Sequence, residues 1–258
     1  MKKKIIIGNW KMNPRSGKDA EKLFSSIAKS ISKIRKTAKK TEVIICPPFL
    51  YIQNLRKLSK KILLGAQDSF GVDVGAFTGE ISPEMLYGIG VRHVILGHSE
   101  RRALGETNEL INRKIKGALV AGLVPVLCVG ENERDENHEY FNIVKNQLGK
   151  CLNGVSKNSV SKIIIAYEPV WAISTTPNQK DATPKDCEEM VIFIKKTLSD
   201  MFGTKIELPS VLYGGSVKPR DAEGFLQDGG VDGLLAGRTS LDAKKFIEII
   251  KICETLNQ

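Results

Sequence analysis

The chain has 258 residues, of which 41% are hydrophobic and 26% are charged, close to the averages of soluble globular proteins, so a disordered or low-complexity chain is excluded. No apolar run reaches the roughly 18 residues of a membrane helix, and residues 5–7 are too short a run for a secretory signal, so we expect neither a membrane span nor secretion. The net charge of +10 comes largely from short lysine clusters without interleaved aromatic residues, which indicates a solvated basic surface and makes nucleic acid an unlikely partner.

Short apolar runs alternate with longer helical patterns along the whole chain. Because the runs are apolar nearly throughout, they are typical of strands that are buried on both faces of a parallel sheet. Eight such strands are predicted, at residues 5–7, 43–45, 62–64, 91–96, 123–129, 163–167, 210–213 and 233–236.

Between these strands, apolar residues recur at the spacing of amphipathic helices. The best examples are the patterns at 23–34, 49–58, 111–119 and 246–253. Thr183 and Asp186 flank Pro184 in an arrangement that favours a helix start, with a capping hydroxyl, a proline in the first turn and an early acid.

This order of elements predicts the α/β class and one (β/α)8 barrel, a TIM barrel, as a single domain over residues 1–258. Consecutive parallel strands need right-handed helical crossovers, and eight such units close into a barrel of about 250 residues. A doubly wound open sheet is the alternative. It usually has a glycine-rich turn after the first strand, whereas here that strand runs into Asn9, Trp10 and Lys11.

Polar residues follow several of the predicted strands, at the end of a barrel where active sites lie. Asn9 and Lys11 follow the first strand, His98 follows the fourth, and Glu168 follows the sixth. A carboxylate beside a hydrogen-bonding imidazole and a fixed cation suits proton abstraction next to a carbonyl group. Glycine-containing turns follow the last two strands and expose backbone N–H groups, which suits a phosphate.

Cysteines are five in number and widely spaced, without a Cys-x-x-Cys pair. A zinc site is therefore disfavoured, and free thiols in a reducing cytoplasm are the simplest interpretation.

Several segments together resemble the triosephosphate isomerase family, in order and in spacing. The resemblance extends from about residue 5 to the last helix. The segments are 8–13 (GNWKMN), 75–80 (GAFTGE), 97–102 (GHSERR), 166–173 (AYEPVWAI) and 213–217 (YGGSV).

The resemblance implies an isomerase that interconverts dihydroxyacetone phosphate and D-glyceraldehyde 3-phosphate without a metal or cofactor. By resemblance, Glu168 carries the proton, a neutral His98 donates to the enediolate, Lys11 supplies positive charge and Asn9 adds a hydrogen bond. Supporting roles are implied for Glu100, Tyr213 and Thr78. Backbone N–H groups around Ser174, Ser216, Gly237 and Arg238 are implied to hold the phosphate.

The chain departs from the family pattern at Asp68, where the family often has Asn in the loop that meets the partner subunit, and in two further segments. The closing lid that follows the sixth strand in this family is three residues longer here, and Ser174 and Thr176 stand where the family has glycines. Because glycine adopts positive φ without steric cost, a different path of this lid is expected. Arg238 replaces the second glycine of a Gly-Gly pair, and its side chain is a candidate phosphate cation.

The long loop 67–82 is implied to dock a second subunit, with Thr78 reaching Asn9 and His98 of the partner, so a cytoplasmic homodimer is expected. Exposed apolar groups in this loop would be unusual in a monomer.

Two other functions remain open. One is another phosphate-binding barrel enzyme. The other, suggested only by the altered lid, is a non-catalytic descendant that binds sugar phosphate or uses its basic surface for anionic partners.

Overall fold

The structure is a computed structural model, and it describes residues 3–34, 41–72, 74–173 and 179–256. Eight parallel strands close into a barrel in sequence order, and β1 pairs with both β2 and β8. The predicted (β/α)8 architecture is therefore confirmed. The strands are β1 (Lys4–Asn9), β2 (Thr41–Cys46), β3 (Leu63–Ala66), β4 (His93–Leu96), β5 (Val124–Val129), β6 (Ile164–Tyr167), β7 (Ser210–Tyr213) and β8 (Gly233–Ala236).

Ten α-helices within the described ranges pack around this barrel. They are α1 (Gly17–Ile34), α2 (Ile52–Arg56), α3 (Pro83–Gly88), α4 (Ser99–Ala103), α5 (Asn108–Val120), α6 (Glu139–Cys151), α7 (Lys157–Val160), α8 (Pro184–Phe202), α9 (Pro219–Gln227) and α10 (Ala243–Thr255). The longest ones follow β1 and β6, and four of the others (α2, α3, α4 and α7) have only four to six residues.

Two hydrophobic clusters stabilise the fold. The smaller one fills the barrel interior with side chains such as Ile44, Ile95 and Leu212. The larger one lies between the strands and the surrounding helices, where the apolar stripe of α1 is buried at Phe24 and Ile27. Because side chains alternate along each strand, one set faces inward and the other faces the helices. The interior is thus packed, and functional side chains are displayed at the mouth.

The start of α8 has the predicted capping arrangement. The Thr183 hydroxyl accepts a hydrogen bond from the Asp186 amide, and the Asp186 carboxylate accepts one from the Thr183 amide. This capping box satisfies two backbone N–H groups at the helix start. It gives a defined beginning to the long helix that follows the lid segment.

None of the helices in the described parts of the chain combines the length and apolar character that a membrane crossing requires.

Candidate active site

Three predicted site residues meet at the carboxyl-terminal mouth of the barrel. Asn9 ends β1, His98 lies two residues beyond the end of β4, and Glu168 directly follows β6. All three are buried, with 5%, 7% and 2% of their surface exposed. The His98 Nε2 atom lies 3.4 Å from Oε1 of Glu168. Residues that are far apart in sequence therefore form one compact polar group.

The hydrogen bonds of His98 assign its tautomer. Nδ1 accepts a hydrogen bond from the Glu100 amide at 3.2 Å, at the start of α4. A ring nitrogen that accepts from an N–H group carries no proton, so the ring proton lies on Nε2 and the imidazole is neutral. Nε2 is the atom that faces Glu168. The ring can thus donate a hydrogen bond into the site from the side that meets the carboxylate.

Lys11 has a left-handed backbone, with φ 51°, and is held by neighbours on both sides. Its amide donates to Oδ1 of Asn9 at 3.0 Å, and its carbonyl accepts from Nε2 of Gln67 at 2.8 Å. Its Nζ lies 2.7 Å from Oε1 of Glu100. These contacts define where the ammonium group lies.

Gln67 is a supporting residue that the sequence analysis did not single out. Its side-chain amide bridges the carbonyls of Lys11 and Cys46, at 2.8 and 2.9 Å. The available signal was its position, because it directly follows β3 at the same end of the barrel. It stabilises the loop that carries the ammonium group.

Gly130 and Gly214 pack closely against Glu168 on two sides. A Cβ at Gly130 would lie 1.8 Å from the Glu168 carbonyl oxygen, and one at Gly214 would lie 2.8 Å from its Cγ. Only glycine therefore fits at either position. The Glu168 Oε2 atom accepts a hydrogen bond from the Ser99 amide at 3.1 Å, which orients the carboxylate.

Cys128 of β5 lies close to this carboxylate. It is fully buried, and burial together with the nearby Glu168 charge raises the pKa of its thiol well above the usual range. The thiol is thus neutral, and it packs as a small apolar group. The other four cysteines are likewise free and buried.

The predicted phosphate residues lie around one cavity of about 720 Å³, together with Asn9, Lys11, His98 and Glu168. Ser216, Gly237 and Arg238 all line it. Gly237 precedes the 3-10 turn Arg238–Leu241 and lies near the Lys11 side chain, since a Cβ there would be 3.4 Å from Cε of Lys11. Ser174 lies outside the described residues.

The Ser216 amide donates to the Ala172 carbonyl at 3.2 Å. The N–H group predicted to bind phosphate is thus already paired with the segment that leads into the lid.

Tyr213 and Thr78 lie farther from the reacting groups. The Tyr213 ring stacks on Phe225 with centroids 3.9 Å apart, and its hydroxyl is buried without a hydrogen-bond partner in the described part of the chain. Burial raises the pKa of Tyr213 above its usual range. Thr78 is exposed in the loop 67–82.

Glu131 is fully buried at the end of β5 and supports the segment before the lid. It accepts hydrogen bonds from the Tyr167 hydroxyl at 2.8 Å and from Nε1 of Trp171 at 2.7 Å. Burial raises the pKa of this carboxyl group. Glu131 therefore fixes Trp171, and it has a structural role rather than a place beside Glu168.

The fold and the site together define a class of protein: a barrel enzyme with a carboxylate and a neutral imidazole at the carboxyl ends of its strands, next to a cavity lined by several basic side chains. Within the described residues, no group of three or more His, Cys, Asp or Glu side chains is arranged to hold a metal ion.

Comparison with known proteins identifies the family. The family model described as triosephosphate isomerase matches residues 4–253. The triosephosphate isomerase of Caldanaerobacter subterraneus is 42% identical over 256 residues, covering 97% of this chain and 99% of the relative. That of Rhodopirellula baltica is 40% identical and covers 96% of both chains.

A crystal structure of triosephosphate isomerase from Bartonella henselae superposes with a TM-score of 0.83 at 35% identity, covering 97% of this chain and 98% of the other. The chain belongs to the triosephosphate isomerase family, and it is an isomerase.

Proposed function

We propose that Glu168, His98, Lys11 and Asn9 catalyse the reaction of this family, the interconversion of dihydroxyacetone phosphate and D-glyceraldehyde 3-phosphate in glycolysis. The observation that carries the proposal is the 3.4 Å separation between His98 Nε2 and Glu168 Oε1 in a buried site. One group removes a proton from carbon while the other donates a hydrogen bond to the adjacent oxygen, so both must reach one three-carbon substrate.

The proton transfers follow from these two positions. Glu168 takes a proton from the hydroxymethyl carbon of the ketose, and the electron pair moves to the carbonyl oxygen to give an enediolate. The Nε2 proton of His98 stabilises the developing oxygen charge, and the proton of the C1 hydroxyl passes to the C2 oxygen through Nε2. Glu168 then returns its proton to C2, and the C1 oxygen becomes the aldehyde oxygen. The substrate and product have the same overall oxidation state, so the step needs no redox partner. Lys11 balances the negative charge of substrate and intermediate.

The phosphate group is proposed to bind the backbone N–H groups of Ser174, Ser216, Gly237 and Arg238, at the outer side of the same cavity. Three of these residues line it, and Arg238 adds a positive side chain. The Ser216 amide must exchange its hydrogen bond to Ala172 for one to phosphate. Binding of phosphate is thus coupled to a shift of the segment before the lid.

A coupled assay with each triose phosphate tests the activity. We expect turnover in both directions without added metal or cofactor. Phosphoglycolate should inhibit competitively, because its planar carboxylate has the charge and shape of the enediolate and its phosphate occupies the proposed site. Turnover without such inhibition would contradict the proposed arrangement, and no turnover would favour a sugar-phosphate-binding descendant.

We also propose a homodimer through the loop 67–82. Val74 and Phe77 in this loop expose 77% and 47% of their surface, and Met12 beside the site exposes 93%. Large apolar side chains that are exposed to this degree are typical of a protein–protein contact. The partner's loop would then bring its Thr78 to Asn9 and His98. The free thiols and the glycolytic reaction support a cytoplasmic location.

Replacement of Phe77 by Glu should dissociate this dimer, because a charge would be buried in an apolar contact. Sedimentation equilibrium is expected to give twice the 28.4 kDa chain mass for the unchanged protein and the chain mass for Phe77→Glu. Ile192→Glu is the control, since Ile192 is an exposed residue of α8 and lies outside the loop. Equal masses for all three proteins would contradict a contact through this loop.

A further inference from the structure

The cavity that contains the proposed phosphate site has additional positive charges in its wall. Lys218 directly precedes α9 and Arg220 lies in its first turn, and both line the same cavity as Ser216. Lys218 follows Ser216 by two residues, so the two positions are within about 7 Å along the backbone. A second anionic group on a ligand would meet these cations.

A carboxylate of the chain itself already binds both cations. The Asp181 oxygens lie 2.7 and 2.9 Å from Nζ of Lys218, and one of them is 3.8 Å from Nη2 of Arg220. Nε2 of Gln179 donates to the same carboxylate at 2.9 Å. The pKa of Asp181 is lowered, first by its hydrogen bond with Lys218, so the group stays ionised.

Lys245 also lines the cavity, but its charge is balanced differently. Its Nζ lies 3.9 Å from Asp242, which lines the cavity as well. Asp181, by contrast, is not among the residues that line the cavity. It lies just before α8 and reaches the cavity wall through its contacts with Lys218 and Arg220. Lys218 and Arg220 thus converge on Asp181, with Lys218 as the main cation, because Nε of Arg220 lies 3.3 Å from Oδ1 of Asp221 as well.

We infer that Lys218 and Arg220 form a second anion subsite of the active-site cavity, and that Asp181 occupies it as an internal carboxylate. Asp181 is then a specificity-determining residue: it excludes sugar or acid phosphates that carry a second phosphate or carboxylate group. The exclusion has two parts, because Asp181 both neutralises the cations and repels the incoming charge. The inference rests on the proposed function for the first phosphate, at Ser216.

Discrimination by repulsion is a common device where attractive contacts cannot separate two ligands. A triose phosphate has one anionic group and leaves Asp181 undisturbed. A bisphosphate must displace an ion pair whose members are partly exposed, with side-chain exposures of 38% for Lys218 and 53% for Asp181. Exposed pairs contribute modestly, so the expected discrimination is about fivefold to tenfold.

The test compares butyl phosphate with butanediol bisphosphate as competitive inhibitors, in the unchanged protein and in Asp181→Asn. Asparagine keeps the size and the hydrogen-bonding oxygen, and the position is exposed, so folding is retained. We expect butanediol bisphosphate to inhibit Asp181→Asn about fivefold to tenfold more tightly than the unchanged protein at 0.15 M salt. Butyl phosphate should improve by no more than about twofold.

Two further variants make the result specific. Asp181→Asn combined with Lys218→Met should lose the gain, because the main cation of the subsite is gone. Asp200→Asn is the matched control: Asp200 forms an exposed ion pair with Lys196 at 3.1 Å on α8, away from the cavity lining. It should leave both inhibition constants unchanged.

Normal butyl phosphate inhibition with an unchanged bisphosphate-to-monophosphate ratio in Asp181→Asn would overturn this inference alone. An equal gain for both inhibitors would also overturn it, because Asp181 would then act as a general counter-ion. Failure of butyl phosphate to inhibit even the unchanged protein would contradict the proposed phosphate site, and the inference with it.

Discussion

Glu168→Gln is expected to lower kcat by about 10²- to 10⁴-fold, the usual contribution of a general base. The amide has the same shape and can still accept the hydrogen bond that Ser99 donates to Oε2, but it cannot take a proton from carbon. KM should change little, because the phosphate is held by the other side of the cavity. Steady-state kinetics in both directions measures the two constants separately.

Glu248→Gln is the control for this substitution. Glu248 lines the same cavity and carries the same charge, but it lies on α10 rather than at a strand end. Its replacement should leave kcat within about twofold if Glu168 alone is the base. A Glu168→Gln enzyme with kcat close to that of the unchanged protein, or with the entire loss in KM, would refute the role proposed for Glu168.

The strand order of the barrel could be predicted from the sequence because buried parallel strands are apolar nearly throughout. The predicted runs 210–213 and 233–236 coincide with β7 and β8. The predicted run 91–96 begins two residues too early, because β4 starts at His93. The Val91 amide instead donates a hydrogen bond to the Leu86 carbonyl and closes the turn after α3. Hydropathy cannot distinguish a buried turn residue from a buried strand residue.

The predicted helix at 49–58 shows a second limit. Its apolar residues step by three, and the structure has a 3-10 turn at Phe49–Tyr51 followed by the short helix α2. A step of three is the repeat of a 3-10 helix, whereas the α-helical repeat is 3.6 residues. The step of three is thus consistent with the 3-10 turn at Phe49–Tyr51, whereas one α-helix was predicted for the whole segment.

The positions of the site residues were predictable because barrel topology brings every strand end to one mouth. Asn9, His98 and Glu168 needed only that rule. The supporting contacts were not predictable in this way. Gln67 reaches the carbonyl of Lys11, and the amide of Ser99 reaches Glu168. Such bonds depend on the distance between particular backbone groups across the barrel, which residue type and spacing do not specify.

Lys11→Met is expected to lower kcat/KM by about 10²- to 10³-fold, the cost of one preorganised electrostatic group. The substitution also leaves the Glu100 carboxylate, now 2.7 Å from Lys11 Nζ, without its cation. That negative charge would then repel a substrate that is itself anionic, so KM should rise together with the fall in kcat. Methionine is similar in length to lysine and would adopt the same left-handed backbone conformation, with φ 51°. The loop should therefore retain its conformation.

The double variant Lys11→Met with Glu100→Gln separates the two effects. If part of the loss comes from the uncompensated carboxylate, removing that charge should recover about tenfold in KM but little in kcat. The remaining deficit in kcat measures the stabilisation of the enediolate by the ammonium group. A single variant with normal kcat/KM would show that Lys11 serves only as the ion-pair partner of Glu100, and charge balance in the site would then depend on His98 and the backbone N–H groups.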